Sequence, residues 1–462
     1  MQKTLLITAL GLVLTCHAQT VTTLTGSTEG YDVSAAPIAT SKFTKPFGVV
    51  VDQNDNIFIS ELNGHRIKMI SGDLQYVYTR SGSPGQLNGD AGYSNSAGGA
   101  GKWNAPAGLA LAADNSLVVA DRDNNSIRSL SKYVNQSNPQ TPAFIAGGTS
   151  QSDVGYVDGA ATDARFNYPT DVAAASNGDI YVCDSYNHCI RKILGSTKAV
   201  STFAGNAAIA PPDFADGHGS AAHFYVPSGI CWDKNGDLLV ADKNNFRIRR
   251  INVATAPAGK VTTVAGNNTD DVIDGSIATA SFKSPIDVIC DKNGVIYVLE
   301  ASNSGSVIRK IAGGQVNSIA GDPDLSGDTD GKGKAATFDA PQQIAFNKAQ
   351  TKIYITDSEN HRIRMLDPAG TIGILANYSL ASINMYPNPV MDNGVLNIQS
   401  EVSFGLKTVE VTDLSGRVLT KENNVGGATI FQANINNLGS GLYMVNLYGA
   451  DNAKVTRQFI VR

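Results

Sequence analysis

Charge is scarce in this chain. Lys, Arg, Asp and Glu make up 17% of its 462 residues, where soluble proteins average about 25%. Coiled coils and long solvated helices depend on dense charge, so a helical architecture is disfavoured. The net charge is only −5, and no basic stripe is available for nucleic acid or an anionic membrane. Beyond the first 18 residues no run of 18 apolar residues occurs, so no transmembrane segment is expected. There are five cysteines but no Cys-x-x-Cys pair, which argues against a zinc ribbon. Gly-x-Ser-x-Gly, Walker and His-Glu-x-x-His motifs are also missing. Glycine, in contrast, is plentiful at 46 residues, about a tenth of the chain against a norm of ~7%. A turn-rich chain with 42% hydrophobic residues can build a large core from short strands. Length alone predicts about three domains.

Residues 1–18 have the form of a secretory signal: Lys3, an apolar run from Leu5 to Leu14, and Ala18 before the expected cut. A lipoprotein reading would keep Cys16 as an acylated first residue, but Thr15 precedes it where a small residue is expected. Cleavage leaves Cys183, Cys189, Cys231 and Cys290. An exported protein permits disulfides, and Cys183 and Cys189 flank one expected turn, where they would either face each other or remain buried thiols.

A repeat dominates the rest. Pro46, Pro106, Pro169, Pro227, Pro285 and Pro341 lie 60, 63, 58, 58 and 56 residues apart, each shortly after an aromatic (Phe43, Trp103, Phe166, Phe224, Phe282, Phe338). An apolar strand follows each proline. Turns such as Asn177-Gly178, Asn235-Gly236 and Asn293-Gly294 then signal a hairpin. A second strand ends in an acid, a third follows a polar turn, and a fourth reads like Val200–Gly205, Val261–Gly266 or Val316–Gly321. Four antiparallel strands repeated six times describe a six-bladed β-propeller; the alternative is a solenoid of stacked hairpins. The ring needs a sixth fourth strand. Val21–Gly26 near the start is expected to close blade six, with Thr371–Leu375 as a competitor.

These residues resemble the NHL-repeat family of six-bladed propellers over residues 21 to about 375. The family includes ligand-, protein- and RNA-binding modules, and its relatives include the amidating lyase and lactonase-like hydrolases. The resemblance therefore implies the fold more firmly than the function.

The acid ending the second strand recurs as Glu61, Asp121, Asp184, Asp242, Glu300 and Asp357. A base follows seven residues later in five blades: Lys68, Arg128, Arg191, Arg249 and Arg364. Blade five has Arg309 instead. The spacing places each acid opposite its base on one face of a hairpin, as a structural ion pair. His65, His188 and His361 share one repeat position and are read either as turn residues or, as in the amidating lyase, as metal ligands. Asp158-Gly159, Asp216-Gly217, Asp274-Gly275 and Asp330-Gly331 each stand eight residues before a blade-opening aromatic. They read as structural turns, with Asp accepting backbone hydrogen bonds and Gly at positive φ. Asp322, Asp324 and Asp328 lie in an acid-dense loop that is slightly calcium-loop-like but lacks a closing glutamate, since Gly333 stands there. No cofactor is expected, although calcium or zinc remains open at these positions. Loops joining blades share a face with the strand two–three turns, and binding is expected there.

The end of the chain breaks the repeat. Tyr386-Pro-Asn-Pro389, Leu414-Ser-Gly-Arg417 and Gly441-Leu-Tyr-Met-Val445, separated by Gly- and Asn-rich turns, read as a small Ig-like β-sandwich. These motifs resemble the C-terminal sorting domain of the type IX secretion system of Bacteroidota over residues 383–462. That resemblance implies handling by the type IX machinery and delivery to the medium or the outer surface. The expected organisation is a signal at 1–18, a propeller at 19–380 and a sorting domain at 381–462. The expected activity is binding of a protein or glycan rather than catalysis. The alternative is a metal-dependent hydrolase or lyase with its site at the axial mouth.

Overall fold

The computed structural model describes residues 19–32, 35–82, 90–95, 101–133, 140–207, 214–253, 258–368, 383–386, 395–400, 408–413, 417–423, 430–435, 437–448 and 454–461. The signal segment, Thr371–Leu375 and the expected boundary at 380 fall outside these residues. The chain divides into two compact units, Met1–Gly370 and Thr371–Arg462.

The first unit is a six-bladed propeller. Blade three shows the pattern: Pro169–Ala174, Ile180–Asp184, Cys189–Ile193 and Val200–Gly205 form one antiparallel sheet in chain order. A hairpin turn follows the first strand, with Gly178 at φ 87°, a conformation that strains any residue with a Cβ. Blades one, two, four and five repeat the order. In blade six the fourth strand comes from the other end of the chain. Thr20–Thr25 pairs antiparallel with Arg362–Asp367, Val21 opposite Leu366. This N-terminal closure removes the free edge of blade six, and Val21 is fully buried in the cluster that contains Leu366, Ile355 and Phe338.

Four blades gain a further two-residue edge strand from the chain that enters them: Ala36–Pro37, Gly217–His218, Gly275–Ser276 and Gly331–Lys332. The Asp-Gly turns thus become edge pairings. Only two of their glycines have positive φ, Gly159 at 142° and Gly275 at 157°. Gly217 and Gly331 do not need it, which corrects the expectation for those two.

The first strands line the axis and are stitched to one another. The Val49 amide donates to Gln343 across the blade six–one seam, and Ser60, on the second strand of blade one, donates to the Ala107 carbonyl of blade two. Ser228 reaches Ile286, and the Ile344 amide donates to Asp287. Hydrophobic clusters fill the spaces between blades: Val118, Phe166, Val182 and Ile193 pack together between blades two and three.

The second unit is a sandwich of two sheets. One holds Ile383–Tyr386, Val395–Ser400 and Ile430–Asn434. The other holds Val418–Asn423, Thr408–Thr412, Gly441–Tyr448 and Lys454–Val461. Alternate residues point inward, so Leu396, Ile398, Val409, Val411, Val445, Leu447 and Phe459 make its core.

Candidate functional site

Each blade buries a charge cluster, and in blades two to six it is the same one. Arg128 donates to Asp121 at 2.8 Å, Arg191 to Asp184 at 2.8 Å, Arg249 to Asp242 at 2.6 Å, Arg309 to Glu300 at 2.6 Å and Arg364 to Asp357 at 2.6 Å. In blade one Glu61 lies 2.6 Å from Arg66 and 3.5 Å from Lys68. Arg66 faces Glu61 directly, but in the other five blades the pairing is diagonal. Asp184 faces Cys189 across the ladder, while Arg191 faces Val182. The two share a face because their positions differ by two residues along it, within reach of a long side chain. The same register separates Cys183, which faces Ile190, from Cys189. Adjacent rungs point to opposite faces, so these two cysteines do not meet, and both are free and buried.

The acid's second oxygen holds the incoming chain. The backbone amides of Thr44, Asn104, Asn167, Tyr225, Lys283 and Asp339 donate to the six acids in turn. Each arginine also reaches outward. Arg191, Arg249, Arg309 and Arg364 bind Asp158, Asp216, Asp274 and Asp330 at 2.5–2.8 Å. Those aspartates in turn accept the backbone amides of Thr202, Thr263, Ser318 and Thr23 on the fourth strands. The hydroxy residue of the fourth-strand pattern is therefore the partner of the Asp-Gly turn. Burial pushes Asp121, Asp184 and Asp357 up to about 6, although hydrogen bonds and the neighbouring guanidinium pull the other way. These acids are consumed in holding the blades together.

Above the arginines the loop face begins. Arg128 is sandwiched between Tyr93 and Trp103, Arg191 between Tyr156 and Phe166, and Arg249 between Phe214 and Phe224. The outer ring stands ten residues before the inner one each time, a spacing the reading of the repeat did not use. Other inter-blade residues leave apolar surface in water: Tyr31, Val154, Val157, Ile273, Ile277 and Leu325, together with Tyr156 and Phe214, are all more than a third exposed. Tyr186, in the strand two–three turn of blade three, adds a ring that stacks on Tyr168 at 4.6 Å.

His65, His188 and His361 occupy one turn position, with φ of 47°, 54° and 55°. Their Nδ1 atoms accept the amides of Ala105, Val226 and Lys45, each in the next blade round the ring. Asn125 holds Tyr168 in the same way, and Phe246 shares the left-handed conformation without a polar group. Burial lowers the pKa of His65 and His188, which keeps them neutral acceptors. The three are separated around the ring, each tied to its own seam. His188→Asn should therefore change stability by less than about 0.5 kcal/mol in urea unfolding, whereas His188→Ala, which orphans the Val226 amide, should cost about 1–3 kcal/mol.

The acid-dense loop is also internally engaged. Asp322 accepts the Asp324 amide, and Asp328 pairs with Arg362 at 2.9 Å. Among the described residues no group of three or more His, Cys, Asp or Glu is placed to hold a metal ion.

Sequence reasoning missed the axis. The residue two after the blade proline is Gly48, Gly108, Asp171, Gly229, Asp287 and Gln343 in turn. The acids project over neighbouring glycines: a Cβ at Gly108 would come within 2.1 Å of Asp171 Oδ1, and one at Gly229 within 2.5 Å of Asp287 Oδ1. From this belt a cavity of about 360 Å³ runs between the first strands toward the strand one–two turns, away from the inter-blade loops. Burial raises Asp171 to about 7, and burial and the Asp171 charge raise Asp287 well above the usual range. A carboxyl whose pKa rises on folding is most stabilising when protonated. Its contribution is complete below about 4 and is lost as pH climbs through about 7. The stability difference between wild type and Asp171→Asn should therefore fall from pH 5 to pH 8, by up to about 1.4 kcal/mol per unit. Urea unfolding at the two pH values measures it.

Two family matches coincide with these units. The NHL repeat matches residues 166–193 and 224–251, and the secretion system C-terminal sorting domain matches residues 384–462. A chloroplastic protein of Arabidopsis thaliana, Protein SUPPRESSOR OF QUENCHING 1, is 29% identical over 256 residues, 53% of this chain and 23% of its own length. The chain spans about a quarter of the length of the first curated relatives it matches. A protein of unknown function from Bacteroides thetaiotaomicron superposes with a TM-score of 0.54 at 19% identity, covering 76% of each chain. An auxiliary nutrient binding protein from Bacteroides ovatus superposes with a TM-score of 0.54 at 18% identity, again covering 76% of each. Those two structures share the fold. The chain is an NHL-repeat β-propeller that ends in a type IX sorting domain, the element that directs export through that system.

Proposed function

We propose that the propeller is an exported binding module that holds a protein or glycan on its inter-blade loop face. The observation that carries this reading is the concentration of exposed apolar and aromatic side chains on that face: Tyr31, Tyr156, Tyr186, Phe214, Ile273 and Leu325. Exposed rings beside fixed arginines suit the faces of sugar rings or the apolar parts of a protein surface. The buried arginines tie the inter-blade segments down at Asp158, Asp216, Asp274 and Asp330, and segments tied in this way lose less entropy on binding. A solved propeller described as an auxiliary nutrient binding protein fits the same class of role.

Glycan arrays and pull-downs from culture medium, using the full chain and Tyr156→Ala/Phe214→Ala, test it. The expected result is a ligand held by wild type and lost at least tenfold by the variant. Turnover of the captured ligand, or equal capture by the variant, would overturn it.

A further inference from the structure

The axial cavity opens away from the loop face, and loop-face binding leaves it unexplained. Its polar end is made by Asp171, Asp287 and Gln343, which are 3%, 2% and 5% exposed. Its walls are apolar, including Leu111, Ile230 and Val288, and Trp232 and Phe346 stand toward the turn end. The charge is lopsided: two carboxyls line the cavity, and no Lys, Arg or His does so among the described residues.

Hydrogen bonding is also incomplete. Asp171 Oδ2 accepts the Ile230 amide, and Asp287 Oδ2 accepts the Ile344 amide, each at 2.8 Å. Asp171 Oδ1 is buried with no hydrogen-bond partner. The Gln343 side chain favours the charged form of Asp171, while its Oε1 accepts the Val49 amide. A buried acceptor without a donor costs about 1–3 kcal/mol, and a buried carboxylate calls for a positive charge.

A bare metal ion fits poorly, because the belt offers two acids and an amide rather than a full ligand set. An organic ammonium fits better. Its charge balances the carboxyl pair that lines the cavity, and its apolar body matches the walls. The volume lies in the usual range for small-ligand pockets.

We propose that the axial cavity binds a small organic ammonium with an apolar body, its nitrogen held between Asp171 and Asp287. The carboxyl pair gives up its retained proton when the ammonium arrives. The other groups facing the pair stay out of this exchange. Burial pushes the Cys183 and Cys231 thiols well above their usual range and raises Cys290. Asp233, which lies beyond Cys231, is paired with Arg250 at 3.0 Å.

Calorimetric titration of the full chain with n-hexylammonium, and with n-hexanol as the uncharged control, tests this at pH 5, 6, 7 and 8. The expected result is selective binding of hexylammonium, strengthening by up to about tenfold per pH unit to about pH 7 and flattening above it. Asp171→Asn and Asp287→Asn should each lose at least tenfold in that affinity. Leu111→Trp, which fills the wall and leaves both acids in place, should block binding at every pH. Tyr156→Ala/Phe214→Ala should bind hexylammonium normally, which separates this site from the loop face. Hexylammonium binding no tighter than hexanol, or with no pH dependence, would overturn the proposal.

Discussion

Chains lacking residues 384–462 should disappear from the medium and the outer surface and accumulate in the periplasm. The deleted segment is the match to the sorting domain, and it carries its own core of Leu396, Val411, Val445 and Phe459. The propeller core is separate, so the truncated chain should remain folded while being misplaced. Fractionation followed by immunoblotting measures the effect, which should exceed tenfold. A milder change in the same unit is informative. Phe459→Asp places a charge in the sandwich core and should mimic the deletion, because a buried unpaired carboxylate is incompatible with that core. Unchanged surface delivery of the truncated chain would refute the assignment.

Arg191→Met should destabilise the propeller by about 3–5 kcal/mol. The guanidinium bridges Asp184, Asp158 and the carbonyls of Arg165 and Val157, and it is fully buried. Its removal leaves Asp184 buried with two neutral donors, the Asn167 amide and Asn187, and no cation. Lys192 is the matched control. It pairs with Asp179 at 2.8 Å but is partly exposed, so Lys192→Met should cost less than about 1 kcal/mol. Urea unfolding of both variants decides the point. Equal effects would mean that the repeated ion pairs do not organise the blades.

Much of the propeller was legible because its blades repeat. The proline, the hairpin Asn-Gly and the strand-ending acid each report a backbone requirement that six copies share. The acid–base pairs were legible as pairs but not in their diagonal register, which depends on how many residues the strand two–three turn absorbs. Closure by Thr20–Thr25 was readable because the segment keeps the fourth-strand pattern. The histidines carried a warning in their own column: Phe246 occupies the same position, and a phenyl ring cannot ligate a metal. What the position demands is a left-handed backbone.

The features that were missed involve partners far apart in sequence. Asp158 meets Thr202 and Arg191 only once the incoming chain has wrapped the outer edge of blade three. The axial belt was hidden for a related reason. Asp171, Asp287 and Gln343 break the repeat where other blades have glycine, and a single departure per blade looks like noise. Their convergence exists only after the ring closes, when each acid finds a neighbouring glycine to lie over.

The most direct test of the binding account is hydrogen exchange on the complex with whatever ligand the array or pull-down identifies. Loop-face binding should slow exchange in the inter-blade loops around Val154–Val157, Phe214, Ile273 and Leu325, with the axial strands Pro169–Ala174 and Pro285–Cys290 unchanged. Protection confined to those axial strands, with the loops exchanging as in the free protein, would contradict it.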